Sequence, residues 1–129
     1  MVYFPDNYFE KEIRNGFEVS SMMKRAWAGQ IEVLSVIREI CERHNILWFA
    51  DYGTLLGAVR HKGFIPWDDD MDIGMTRDNL NNFIKYAKDE LPDEYKLLCM
   101  DLEPQYDSLI VRVVNSTSVS MDKERLYKF

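Results

Sequence analysis

Cysteine is scarce in this chain: Cys41 and Cys99 are the two thiols among 129 residues, and they lie far apart with no C-x-x-C pairing. That excludes a disulfide framework and a Cys-based zinc site, and it points to a reducing, cytoplasmic compartment. An excess of basic charge is lacking as well. Sixteen Lys and Arg stand against 22 Asp and Glu, for a formal net charge of -6. A sequence-independent grip on a nucleic-acid backbone needs a basic face, so no nucleic-acid partner is expected. No apolar run approaches the roughly 20 residues of a membrane helix. No transmembrane segment is expected, and the net charge leaves peripheral contact with a membrane surface open. The N-terminus, Met-Val-Tyr-Phe-Pro-Asp-Asn, has neither the basic nor the apolar stretch of a signal peptide. Internal repeats and low-complexity segments are also missing.

What is present is a globular composition. Hydrophobic residues make up 47% and aromatic residues 13%, too much for a disordered chain. The length suits one compact core and leaves no room for two independent domains. Residues 1–19 read as an N-terminal arm with Gly16 as a break. Ser20-Ser21 offers an N-cap. Met23, Trp27, Ile31, Leu34, Ile37, Ile40, Cys41 and His44 then recur at helical spacing, and Asn45 ends the helix. His44 is read as structural. Residues 46–51 read as a buried strand. Gly53-Thr54 reads as a tight strand-to-helix turn, and residues 55–60 as a short buried helix. Residues 70–75 alternate polar and apolar, as a two-faced strand does. Thr76 can cap a helix in which Leu80, Phe83, Ile84, Ala87 and Leu91 share a face, stopped by Pro92. Residues 95–101 and 109–115 read as strands, with 117–121 as a third. The order predicts an α/β or α+β domain with a mixed sheet flanked by helices.

Charge is unevenly spread. Asp68, Asp69, Asp70 and Asp72 fall within five positions, directly after the apolar loop Phe64-Ile65-Pro66-Trp67. Residues two apart on a strand share a face, so Asp70 and Asp72 are expected to project together with Met71 and Ile73 toward the core. Two parallel carboxylates are costly to hold ionised without a cation. Mg²⁺ is commonly held by one or two carboxylates, with waters and substrate phosphates completing its shell. Asp70 and Asp72 therefore suit metal-assisted phosphoryl transfer. An EF-hand loop does not fit, because Ile73 stands where glycine is needed and Asn79 where glutamate is needed. Gly53-Thr54 offers the other half of a phosphate site: close backbone approach, a hydroxyl, and helix N–H groups aimed at an anion. Neither a dinucleotide fingerprint nor a P-loop is present. Arg60, His61 and Lys62 could neutralise a diphosphate, or be a solvated helix end. Trp48, Phe49, Phe64 and Trp67 are expected in the core rather than as base-stacking platforms. Pro66-Trp67, directly before the acids, is the exception to consider.

The continuous stretch from Trp48 to Met75, containing Asp51-Tyr52-Gly53-Thr54-Leu55-Leu56-Gly57 and Arg60-His61-Lys62-Gly63-Phe64-Ile65-Pro66-Trp67-Asp68-Asp69-Asp70-Met71-Asp72-Ile73, resembles the signature of the LicD family. These are phosphocholine transferases related to fukutin and fukutin-related protein. A weaker resemblance extends through 77–91 and 111–117. It implies a nucleotidyltransferase fold of the DNA polymerase beta superfamily. By the same resemblance, Gly53-Thr54 would cradle phosphate, and Asp70 and Asp72 would ligate Mg²⁺ or Mn²⁺, with Asp68 and Asp69 also matching the motif. The implied reaction moves a phospho-alcohol from a CDP-activated donor, typically CDP-choline, to a sugar hydroxyl of a surface glycan such as lipopolysaccharide or teichoic acid. The family's Ile-Asp-Ile-Phe-Pro-like segment, carrying a third acid, is not found. Asp101, Asp107 and Asp122 are stand-ins outside that context. The chain is accordingly expected to be the N-terminal part, residues 20–129, of a longer and incomplete catalytic core, inactive by itself. The alternatives are a non-catalytic nucleotide-binding or regulatory domain of the same type, and nucleotide transfer onto a small molecule.

Overall fold

The computed structural model describes residues 2–115. The chain divides into two compact units, one running to Phe83 and the other beginning at Ile84. The division falls inside one helix, where the composition had suggested a single core.

The first unit opens with one turn of 3-10 helix, Asp6–Phe9. A hairpin follows, formed by β1 (Glu12–Arg14) and β2 (Phe17–Val19). Its turn is Asn15-Gly16, and both residues take left-handed backbone, with φ of 52° and 77°. Asn-Gly is the pair that tolerates this geometry in a two-residue hairpin turn. Gly16, expected as a break in an arm, is thus a chain reversal.

Helix α1 spans Ser21–Arg43, and the Ser20 hydroxyl accepts the Met23 amide at 3.1 Å. The helix stops where Asn45 turns left-handed, at φ 54°. Trp27, Ile37, Ile40 and Cys41 are buried along the expected stripe, and Ala28 is buried beside it. Lys24, which the stripe did not include, is also buried, at 5% exposure. It is satisfied by Glu12 at 3.3 Å and lies 5.7 Å from the Tyr8 ring centroid. Burial raises the Glu12 carboxyl, but hydrogen bonding to Lys24 and the charges of Arg14 and Lys24 outweigh it and hold the group below its ordinary value. Cys41 and Cys99 are free and buried. Burial, with Glu42 beside it, pushes the Cys41 thiol up to about 11, so it is inert at neutral pH.

Strand β3 is only Phe49–Ala50, and β4 only Ile73–Gly74, paired antiparallel. The longer strands expected at 46–51 and 70–75 do not form. The Leu47 amide donates to the Asn79 side chain at 3.0 Å, and the Asp72 amide to the Thr54 hydroxyl at 2.8 Å, so the ladder that β3 and β4 share stops after one more bond, from the Asp51 amide to the Asp72 carbonyl. Asp70 and Asp72 therefore sit on extended chain leading into β4, not on a strand.

Helix α2 spans Tyr52–Arg60 and starts three residues earlier than expected. Asp51 caps it, its carboxylate accepting the Tyr52 amide at 2.9 Å. Gly53-Thr54 is thus the first turn of the helix rather than a turn before it. Nor is α2 a buried helix: Gly57 is its single buried residue, and Tyr52, Leu55, Leu56 and Val59 are exposed. Phe49 and Trp67, expected in the core, are half-exposed at 53% and 55%. Helix α3, Arg77–Glu90, begins at Thr76, whose hydroxyl accepts from Asn79.

In the second unit, β5 (Lys96–Leu98) pairs antiparallel with β6 (Arg112–Val114). Ala87, Leu97, Leu98, Cys99 and Tyr106 are buried there, and the Tyr106 hydroxyl donates to the Ile110 carbonyl at 2.7 Å. The expected strand at 117–121 lies outside the described residues. The described residues form a mixed α and β structure with three α-helices. The expected single mixed sheet is replaced by three antiparallel pairs, with no parallel pair among the described residues.

Candidate active site

The apolar loop before the acids is set by a turn. The Asp68 amide donates to the Ile65 carbonyl at 2.9 Å across Pro66-Trp67, and Ile65 and Pro66 are buried. Proline at the second position presets that turn. The chain then runs past the start of α2. The Asp51 amide donates to the Asp72 carbonyl at 3.1 Å, and the Thr54 hydroxyl accepts the Asp72 amide. Both main-chain groups of Asp72 are thereby fixed to the first turn of α2.

These contacts form a cleft of about 160 Å³ lined by Gly53, Thr54, Ala58, Gly63, Phe64, Ile65, Asp68, Asp70 and Met71. A Cβ at Gly53 would lie 2.6 Å from Asp68 Oδ2, so a larger residue there displaces that carboxylate. The amides of Gly53 and Thr54 fall in the first helical turn, where no acceptor exists within the helix. Thr54, spent as an acceptor, keeps its hydroxyl proton to donate.

Asp70 is the electrostatic centre. Desolvation raises its carboxyl above the ordinary value, and Asp68, Asp72 and Asp69 add like charge. The Asp68 and Asp70 carboxyls lie within hydrogen-bonding reach of each other. Among the described residues, no Lys or Arg pairs with these four acids. Such crowding is the chemistry of a hard-cation seat, since two carboxylates held together favour a divalent ion and leave its other positions to water and phosphate. No group of three or more ligating side chains closes into a cage among the described residues. The residues thus fit a Mg²⁺ ion shared with a bound phosphate better than a fully protein-bound metal.

The sequence-predicted residues do not all converge. Gly53, Thr54, Asp68 and Asp70 meet at the cleft. Asp72, expected beside Asp70, does not line it and is tied to Thr54 through its amide, while Met71, expected toward the core, lines the cleft with Asp70. Arg60, His61 and Lys62 are at the other end of α2 and do not line the cleft, although Ala58 and Gly63 on either side of them do. Each already has a local task. Arg60 Nε donates to His61 Nε2 at 2.9 Å, His61 Nδ1 meets Asn15 Nδ2 at 2.6 Å, and the Lys62 ammonium donates to the Val59 carbonyl at 3.1 Å. They cap the helix end, which the dipole favours. Asp101 and Asp107 belong to the second unit, and Asp122 lies outside the described residues. Two contributors went unread in the sequence: Asp51 as the cap, and α1, which reaches the Asp68 and Asp69 carbonyls through Trp27 and Gln30. Asp51 carried a signal, as an N-cap residue type before the helix. The α1 contacts span 41 and 39 residues and carry none.

The family profile described as the LicD/FKTN/FKRP nucleotidyltransferase domain matches residues 45–127, which include every residue of this cleft. The chain belongs to the LicD family. It is 37% identical over 84 residues to the lipopolysaccharide cholinephosphotransferase LicD of Haemophilus influenzae, covering 64% of this chain and 32% of that protein. It is 42% identical over 52 residues to an uncharacterised protein of Rickettsia typhi, covering 40% and 17%. It is 37% identical over 43 residues to the human ribitol 5-phosphate transferase FKRP, covering 33% and 9%. The chain thus spans about a third or less of the length of these LicD-family relatives. No solved structure matches it. No helix among the described residues is long and apolar enough to cross a membrane.

A glycine-to-alanine change separates site from scaffold. In Gly53→Ala the methyl displaces the Asp68 carboxylate, while alanine in a helix favours folding by up to about 1 kcal/mol. Thermal melting should stay near wild type while Mn²⁺ affinity, read by titration, falls about tenfold, as for loss of a supporting group at a metal site.

Proposed function

We propose that this LicD-family chain holds the donor side of a transferase site. The enzyme would move a phospho-alcohol from a CDP-activated donor, such as CDP-choline, to a sugar hydroxyl of a cell-surface glycan, from the cytoplasmic side. The observation that carries this reading is the single cleft joining the Gly53-Thr54 helix start to the Asp68 and Asp70 carboxylates. The first-turn amides and the Thr54 hydroxyl bind phosphate oxygens. Asp70, with Asp68 beside it in the cleft, would hold a Mg²⁺ or Mn²⁺ ion, which neutralises the donor phosphates when bound. Asp72 is kept in place by its two main-chain bonds. The same pairing of helix start and carboxylates suits a nucleotidyltransferase-type core. Arg60, His61 and Lys62 serve the scaffold instead of the donor.

The absence of a third convergent ligand among the described residues favours a second reading, a domain that binds a nucleotide without turning it over. Calorimetry and a transfer assay separate the two. CDP-choline, or CDP-ribitol as the second donor, should bind with Mg²⁺ present and not with EDTA. Equal affinity in EDTA would overturn the metal-bridged reading. Metal-dependent binding without transfer to a glycan acceptor, by this chain or by any longer protein carrying it, would favour the binding domain.

A further inference from the structure

The acidic loop has a structural difficulty of its own. Four carboxylates crowd one short segment, and without a cation their repulsion pushes the loop open. What holds it shut comes from outside the matched family region. The buried Trp27 indole N–H donates to the Asp68 carbonyl at 2.7 Å, and Gln30, one turn along α1, reaches the Asp69 carbonyl at 3.4 Å. Two successive carbonyls are therefore tied to one helix face. Fixing them fixes the peptide planes between 68 and 70, and with them the direction in which Asp68 and Asp70 enter the cleft.

Trp27 is itself clamped. Its ring stacks on Phe64 at 4.9 Å between centroids and 3° between planes, and the Arg14 guanidinium lies 5.3 Å from the ring centroid. Arg14 is held by Glu12, and Glu12 by buried Lys24. The hairpin also grips the loop's other flank, through Asn15 on His61 and Phe17 against Trp67 at 5.9 Å. The family match begins at residue 45, so the hairpin and the relevant turns of α1 all precede it.

We propose that Trp27, braced by the β1–β2 hairpin, is a positioning residue that keeps Asp68 and Asp70 converged in the absence of a bound cation. This rests on the proposed role of the cleft, and its decisive test does not require that role. Trp27→Phe keeps the stacked ring and removes the N–H. Hydrogen exchange of the metal-free chain should show the Asp68 and Asp72 amides, each hydrogen-bonded in the closed loop, exchanging about fivefold faster, the value for loss of one buried hydrogen bond. Amides in the middle of α1 should keep their protection. Mn²⁺ affinity should fall about tenfold, and saturating Mn²⁺ should restore slow exchange. Arg14→Gln should act in the same direction and more weakly. Exchange of the Asp68 and Asp72 amides within about twofold of wild type, or loss of protection spread equally through α1, would overturn the proposal. If wild type binds no Mn²⁺, the metal reading of the cleft falls, and the exchange comparison still decides the brace.

Discussion

Asp70→Asn is expected to weaken Mn²⁺ binding by more than about 100-fold. Losing an outer partner at a metal site costs roughly 10–100-fold, and a ligand costs more than its support. Asparagine keeps the shape and removes the charge, so the loss reads the carboxylate alone. The metal-free chain should respond in the opposite sense. Burial and three neighbouring acids raise the Asp70 carboxyl. A group raised on folding contributes stability that is full below its unfolded value and is lost as pH climbs through the folded one. The wild-type chain therefore loses stability as the Asp70 carboxyl ionises, and Asp70→Asn should melt slightly higher without metal. Solvent reaches Asp70, so added salt should shrink that gain. Titration calorimetry and melting curves with and without Mn²⁺ check both signs. A variant that binds Mn²⁺ like wild type would remove Asp70 from the site.

The second large effect is expected at Gly57. A Cβ there would lie 2.5 Å from the Gly63 carbonyl oxygen and 3.1 Å from the Ile65 amide nitrogen. Both are main-chain atoms and cannot swing aside. Left-handed Lys62, at φ 58°, folds the chain back so that the Gly63 amide returns to the Gly57 carbonyl at 3.3 Å. Gly57→Ala should cost about 2–3 kcal/mol by overpacking, a fall in Tm of about 10 °C for a chain of this size. On the opposite face of the same helix, Val59→Ala removes a side chain that is 65% exposed and should stay within about 0.5 kcal/mol. Denaturant melts of the two variants compare the faces directly. An equal cost for both would mean that the buried contact of α2 is not where the geometry puts it.

Much of this was legible in local pattern. Ser20 and the apolar stripe after it mark α1 because capping and amphipathic spacing are short-range properties. The same holds for Thr76 and α3. Asp68, Asp70 and Gly53 stood out because carboxylate clustering and a glycine before a helix are readable along the chain. The start of α2 was not, since Tyr52 enters it with φ 42°, a conformation side chains rarely adopt and no propensity announces. The strands were overestimated because alternation at 70–75 reports two environments without reporting where the hydrogen bonds go. At Asp72 they go to Thr54 and Asp51. Sequence alone left two readings of the basic group open, because whether Arg60, His61 and Lys62 line the cleft or close the end of α2 depends on where a nine-residue helix carries them.

The burial of the tryptophans gives the chain an optical gauge. Trp27, which holds the Asp68 carbonyl, is 1% exposed, and Trp67, directly before that same residue, is 55% exposed. An uncharged collisional quencher such as acrylamide reaches the second indole and not the first, with half-buried Trp48 as a constant background. The emission of the unlabelled protein thus divides into a protected part, from the helix that holds the loop, and an accessible part, from the loop itself. Any event that lets the acidic loop lift off α1 converts protected light into accessible light, so the closure of the cleft can be followed without a label, a ligand or turnover.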